Sequence, residues 1–248
     1  MPAFKIAAAQ VPAVRGDIGA NIATHADAMA AAARQGASVL VFPELSLTGY
    51  EPGLAAELAV ATDDQRLAPL LALARQHRIA AVVGAPLCNG PGKPALGAIV
   101  ISAEGTTRTY RKMHLGGDER DYFAPGVAPL AWAVAGHMVG VAICADSREP
   151  SHPQAYAELG ADIYAAGVFL NQEWYETDVP RLSAYAARYR MLTVMANHAA
   201  SVGTYTSVGR SAVWAPGGAL LAQAEDANSA LLIATGNHSE WRAEVVGL

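Results

Sequence analysis

Short apolar runs, each closed by turn residues, recur from one end of the chain to the other, and they restrict what it can fold into. Val39-Leu40-Val41-Phe42, residues 79–85 and Val139-Gly140-Val141-Ala142-Ile143 are too short for buried helices and too uniformly apolar for surface ones. They read as strands covered on both faces. Segments of helical period lie between them. Residues 18–35 set Ile22, Ala26, Met29 and Ala33 on one face and stop at Gly36, and residues 64–77 form a second helix that Asp63 or Asp64 can cap. Further strands are predicted at 4–11, 38–42, 161–169, 192–197 and, last, 230–234, with helices at 154–159 and 179–190. Such an alternation would build a single doubly wound sheet, but hairpins interrupt it. Residues 96–102 pair with 106–110, 132–134 with 137–143, and 211–215 with 219–224. The pattern predicts an α/β fold of two mixed sheets packed face to face with helices outside.

With 248 residues, 52% of them hydrophobic, the chain can bury one sizeable core, and no repeat, charged tract or low-complexity linker divides it. One domain over 1–248 is the expectation. The net charge of -5 leaves no basic face for nucleic acid. No apolar run reaches the ~20 residues that span a bilayer. Cys88 and Cys144 are the only cysteines, and the start, Phe4-Lys5-Ile6-Ala7-Ala8-Ala9-Gln10, reads as a first strand and not as a signal peptide. A reducing, cytoplasmic setting is expected from this.

Three strand ends carry polar chemistry. The run from Val139 stops on Cys144, followed by Ala145-Asp146-Ser147-Arg148, Pro150 and a helix expected near Ser151. A strand, a tight turn and a helix N-terminus hold a thiol near backbone N–H groups, surroundings that favour a thiolate. Glu44 ends the run Val39 to Pro43. Lys112 follows a hairpin strand in Tyr110-Arg111-Lys112-Met113-His114-Leu115, and it is one of only three lysines against fourteen arginines. Taken singly, each has an ordinary reading: a packed cysteine, a solvated glutamate, a hairpin-end lysine. Together they suit one task. The glutamate takes the thiol proton, the sulfur attacks a carbonyl or nitrile carbon, and the ammonium with a backbone N–H stabilises the oxyanion.

Phe42-Pro43-Glu44 with Gly49-Tyr50, the lysine segment, and Cys144-Ala145-Asp146-Ser147-Arg148 resemble the three signature blocks of the nitrilase superfamily of carbon–nitrogen hydrolases, in that family's order and spacing. Glu119, ahead of Asp121-Tyr122-Phe123-Ala124-Pro125-Gly126, is similar to its second glutamate, and Gly209 to Gly218 resembles its late hairpin. The resemblance implies a four-layer α-β-β-α sandwich that forms a homodimer and uses no metal or organic cofactor. It implies Glu44 as base, Lys112 as oxyanion stabiliser, Cys144 as nucleophile, Glu119 as orienting group and the Ala145 N–H as second oxyanion donor. The substrate implied is a small linear amide or N-carbamoyl compound, with a nitrile as the alternative, and water the acyl acceptor. A catalytically idle binding protein on the same sandwich is the reading from another class.

The chain departs from the family pattern in places. Glu149-Pro150-Ser151 stands where many members have Phe-Pro-Glu, and Tyr185-Ala186-Ala187-Arg188-Tyr189 where Arg-Ala-x-Glu-Asn is usual. The tail after Trp241 is short for a swapped arm. Arg148 could grip a substrate carboxylate, but a local pair with Asp146 or Glu149 is the stronger expectation. Tyr50, His114, Phe169, Asn171, Trp174 and Tyr175 are the candidate pocket residues, and Cys88 has no role. A metal site would have to gather His114, His137, His152 and Cys144, which lack the tight spacing of a ligand set.

Overall fold

The computed structural model describes residues 3–238 and 240–248. In chain order the strands are β1 (Phe4–Gln10), β2 (Val39–Val41), β3 (Ala80–Leu87), β4 (Ala95–Ile101) and β5 (Thr107–Arg111), then β6 (Ala131–Val134), β7 (His137–Ile143), β8 (Ile163–Gly167), β9 (Leu192–Ala196), β10 (Ala212–Trp214) and β11 (Leu220–Gln223), and finally β12 (Ala230–Gly236) and β13 (Trp241–Gly247). The helices are α1 (Ile18–Arg34), α2 (Ala68–His77), α3 (Glu119–Tyr122), α4 (Ser151–Glu158) and α5 (Gln172–Tyr189).

Two sheets result. The first has the order β13-β12-β1-β2-β3-β4-β5 and the second β11-β10-β9-β8-β7-β6. In each the middle strands run parallel, as β1, β2 and β3 do in one and β7, β8 and β9 in the other, and antiparallel neighbours flank them. The pleat divides the apolar residues between two cores. Along β1, Ile6 and Ala8 enter the core shared with the second sheet, while Ala7 and Ala9 pack with Ile22 and Met29 of α1 and Leu70 of α2. On the far side Tyr156 of α4 and Leu182 of α5 join the first of these cores beneath the second sheet. The predicted layering of two mixed sheets between helices is the observed one.

The differences lie where apolar period is weak. Helix α5 begins at Gln172, seven residues before its predicted start, because the Asn171 side chain accepts the Trp174 N–H as a cap and the helix runs through Pro180. The polar segment 111–126 holds the single turn α3. Asp64 caps a short 3₁₀ turn over Gln65–Leu67 that leads into α2. The expected tail after Trp241 is β13, paired along its length with β12. Its residues alternate between half-buried and exposed, so it has no apolar run to announce it.

Candidate active site

Lys112 and Cys144 directly follow β5 and β7, Glu44 lies three residues beyond β2, and Glu119 opens α3. After β7 the chain turns through a 3₁₀ segment, Cys144–Arg148, before α4 starts at Ser151. Cys144 opens that turn at φ +43°, in the left-handed region that a non-glycine residue occupies only when its surroundings hold it there. Asp146 supplies the hold. Its Oδ1 accepts the Met113 and His114 N–H groups at 3.0 and 2.9 Å, and its Oδ2 accepts the Ile143 N–H at 3.0 Å and the Tyr110 hydroxyl at 2.6 Å. One buried carboxylate thus ties the cysteine turn to the segment that carries Lys112. Behind it, His152 Nε2 meets the Tyr110 hydroxyl at 2.8 Å and Nδ1 meets that of Tyr164 at 2.8 Å. Burial lowers His152 to about 4, so the ring is neutral and bonds as donor at one nitrogen and acceptor at the other.

Glu44 follows β2 in a tight loop wedged between the sheets. A Cβ on Gly84 of β3 would run into Pro43 O and Leu45 N, and one on Gly167 of β8 into Phe42 O. The bare backbone at both positions lets the loop pass this close. His198 Nε2 donates to the Glu44 carbonyl at 2.7 Å, and burial lowers that ring to about 4. A Gly84→Ala chain therefore loses roughly 1–3 kcal/mol of stability through overpacking, and its activity falls with the displaced Glu44. Thermal melts and turnover measured on one preparation check both effects.

Lys112, fully buried, joins the carboxylates. Its Nζ donates to Glu44 Oε1 at 2.7 Å and to Glu119 Oε1 and Oε2 at 2.7 and 2.8 Å. Glu119, the first residue of α3, also accepts the Tyr50 hydroxyl at 2.9 Å and the Gly116 N–H at 2.8 Å. Glu44 Oε2 is buried with no hydrogen-bond partner, and the Cys144 thiol is among the groups that lower this carboxyl. The sulfur otherwise has only a long contact, 3.8 Å, to the Phe169 carbonyl.

These contacts set the protonation states. Burial raises the Glu44 carboxyl to about 7; Lys112 pulls it down and the Glu119 charge pushes it back. Burial would lower the Lys112 ammonium, but Glu44 and Glu119 outweigh it and hold Lys112 above the ordinary lysine value. For Cys144, burial and then the Glu44 charge raise the thiol well above its usual range, against the pull of Lys112 and Arg148. The resting group is a neutral thiol. This corrects the thiolate expected from the turn, because a helix N-terminus cannot offset burial beside two carboxylates.

A cavity of about 490 Å³ opens onto the sulfur, lined by Cys144, Ala145 and Glu119 with Tyr50, Arg148, Phe169, Asn171 and Trp174. That size suits a small organic molecule. His114 does not line it: its ring lies edge-on to His152, 5.7 Å between centroids, and its N–H serves Asp146. Tyr175 is likewise packed elsewhere, its hydroxyl donating to Arg210 O at 3.0 Å. The local pair expected for Arg148 does not form, since Asp146 is saturated; Arg148 reaches Asp178 on α5 at 2.9 Å. His137 sits with Asp162 and His238, and His152 is taken by two tyrosines, so those histidines do not gather around the sulfur. Missed from the sequence were Asp118 and the Thr204-Tyr205-Thr206 wall. The latter lies in a polar, glycine-rich stretch with neither periodicity nor motif. Tyr205 stands edge-on to Tyr50, 5.0 Å between centroids.

The fold has solved counterparts. A glutamate-to-glutamine mutant of the amidase from Nesterenkonia sp. AN1, carrying the acetamide moiety of fluoroacetamide covalently on its active-site cysteine, superposes with a TM-score of 0.87 at 27% identity, covering 96% of this chain and 91% of that one. The same mutant after Michael addition of acrylamide at that cysteine gives 0.85 at 28% identity, over 93% and 92% of the two chains. An (R)-stereoselective amidase from a Pseudomonas species is 32% identical over 163 residues, which are 64% of this chain and 58% of the length of that relative. The sequence profile described as carbon–nitrogen hydrolase matches residues 5–243, and the protein therefore belongs to the carbon–nitrogen hydrolase family.

Proposed function

We propose that residues 1–248 form one amidase domain that cleaves the C–N bond of a small linear amide or N-carbamoyl compound through a thioester on Cys144. The observation that carries this reading is the Lys112 ammonium held between Glu44 and Glu119, beside a thiol that faces an open cavity. Glu44 takes the thiol proton as sulfur attacks the carbonyl carbon. The oxyanion is met by Lys112 and the Ala145 N–H. As the C–N bond breaks, Glu44 returns the proton to the departing ammonia or amine. Water then attacks the thioester, giving its proton to Glu44, and the acid leaves as sulfur regains a proton. Glu119 holds the lysine in place, and Tyr50 holds Glu119.

Ammonia release from a panel of small amides and carbamoyl compounds tests the proposal. Release from nitriles with none from amides would instead select the nitrilase reading. The acid strength of Glu44 adds a pH dependence. Because burial raises this carboxyl to about 7, the base is lost as pH falls through that value. The expected kcat/KM drops roughly tenfold per pH unit below it. A profile flat down to pH 5 contradicts Glu44 as base. A homodimer and a cytoplasmic setting complete the proposal; among the described residues no helix is long and apolar enough to cross a membrane. Light scattering at twice the chain mass of 25.7 kDa tests the dimer.

A further inference from the structure

We infer that His137, Asp162 and His238 form a binding site for a divalent transition-metal ion of the zinc type, at the end of the sandwich opposite the sulfur, where the ion ties the β12–β13 turn to the second sheet.

The three residues come from separate stretches of chain. His137 opens β7, Asp162 immediately precedes β8, and His238 lies in the turn between β12 and β13. Cys144 follows the other end of β7, so the length of that strand, about 20 Å, separates this site from the cavity. The parallel pairing of β7 with β8 brings the first two residues together. Asp162 N donates to Met138 O at 2.9 Å, and Asp162 Oδ2 accepts the Met138 N–H at 2.8 Å. The backbone thus orients the carboxylate, as an outer partner orients a metal ligand. Its other oxygen, Oδ1, meets His238 Nδ1 at 2.9 Å across 76 positions of sequence. The two imidazoles stack, 4.3 Å between centroids.

Two observations make this cluster a ligand set. One nitrogen from each ring and one carboxylate oxygen all lie within 4.8 Å of one another. Metal–ligand bonds of about 2.1 Å in a tetrahedron put ligand atoms roughly 3.4 Å apart. A small closure of His238, whose side chain is 62% exposed, completes that spacing. The second observation is the state of His137. The residue is 5% exposed, and its Nδ1 is buried with no hydrogen-bond partner. Asp162 Oδ2 stands 3.9 Å from it, too far for a hydrogen bond. Phe4 of β1 lies against the ring at 4.5 Å and Trp241 of β13 edge-on at 5.6 Å, so aromatic walls hold it in place. A buried polar nitrogen left unpaired is costly. An ion seated between the two rings and the carboxylate satisfies it.

The donor set selects the ion. Two imidazoles and one carboxylate suit zinc and its neighbours, whereas Mg²⁺ and Ca²⁺ demand oxygen ligands almost throughout. Three protein ligands leave one tetrahedral position for water. The consequence is mechanical. His137 and Asp162 stand at the second sheet and His238 at the edge of the first, where β13 is the outermost strand. A bound ion therefore cross-links the two sheets.

The test titrates Zn²⁺ by calorimetry into the chelator-treated chain carrying no histidine tag, and records melts with and without the ion. One Zn²⁺ per chain is expected, with Tm raised by about 5–10 °C at an ion concentration a hundredfold above Kd. Mg²⁺ at the same concentration is expected to leave Tm where it was. His238→Ala removes the exposed ligand, and Asp162→Asn keeps an acceptor for the Met138 N–H. Each is expected to weaken Zn²⁺ binding by at least about 10-fold and to remove the rise in Tm. Thiols compete for Zn²⁺, so a Cys88→Ser/Cys144→Ala chain is titrated beside them and is expected to bind as the wild type does. No binding by the wild type, binding unchanged in His238→Ala, or binding lost with the cysteines overturns the site. A rise in Tm as large with Mg²⁺ as with Zn²⁺ overturns it too, and a bound ion that leaves Tm unchanged overturns the cross-link.

Discussion

Replacing Cys144 by alanine is expected to abolish amide turnover, by at least about 10⁴-fold, and to leave the fold standing. The loss is complete because the sulfur is the atom that bonds to carbon. Of the other side chains around the cavity, only the hydroxyls of Tyr50, Thr204, Tyr205 and Thr206 resemble a nucleophile, and Tyr50 donates to Glu119. The fold survives because little else is removed. The thiol makes no strong hydrogen bond, and alanine meets the strain of φ +43° about as cysteine does. Ammonia release and a thermal melt on the same preparation decide the matter. Turnover within tenfold of wild type would end the thioester mechanism.

The second large effect falls on Lys112. Lys112→Met keeps the volume and removes the charge, so Glu44 and Glu119 face each other in a buried site with no cation between them. Removing one partner of a buried ion pair costs roughly 3–5 kcal/mol, because the charge left behind is neither solvated nor paired. Stability should therefore fall by that order, more steeply at pH 8 than at pH 6. The sign follows from the carboxylates. Stripped of the ammonium that pulls Glu44 down, they are tolerated only when one of them carries a proton, and a proton is harder to keep as pH rises. Turnover should be lost as well, since the oxyanion keeps only its backbone donor. A Lys112→Met/Glu119→Gln double variant separates the two losses: denaturation midpoints should recover in part while ammonia release does not. A single variant as stable as wild type at pH 8 would show that the triad is not the buried charged unit described here.

Much of the fold was written in local pattern. All-apolar runs of four to seven residues marked strands covered on both sides, and the hairpin turns between them marked the mixed character of both sheets. Failure came where burial was partial. Strand β13 alternates half-buried and exposed residues at a sheet edge, and α5 begins on a polar turn whose only signal is the Asn171 cap. Within the site, the Glu44 and Cys144 segments could be picked out because charged or reactive residues after buried strands are unusual, and Lys112 because lysine is rare in this chain. Asp178 gave no such sign. It looks like any helix aspartate until α5 is laid against the cysteine turn, and the same packing sends Arg148 to it instead of to its sequence neighbours.

The order of apolar and polar residues alone determined the layered sandwich and set Glu44 and Cys144 behind buried strands, since periodicity and strand ends are properties of short stretches of chain. Tertiary structure alone decided how those groups behave. That Cys144 rests as a neutral thiol, that Glu44 holds its proton to about 7 and that Lys112 stays charged between two carboxylates all follow from desolvation and from charges brought together across 68 positions of sequence. No local pattern encodes these, because each depends on what the folded chain places beside the group once water has been removed.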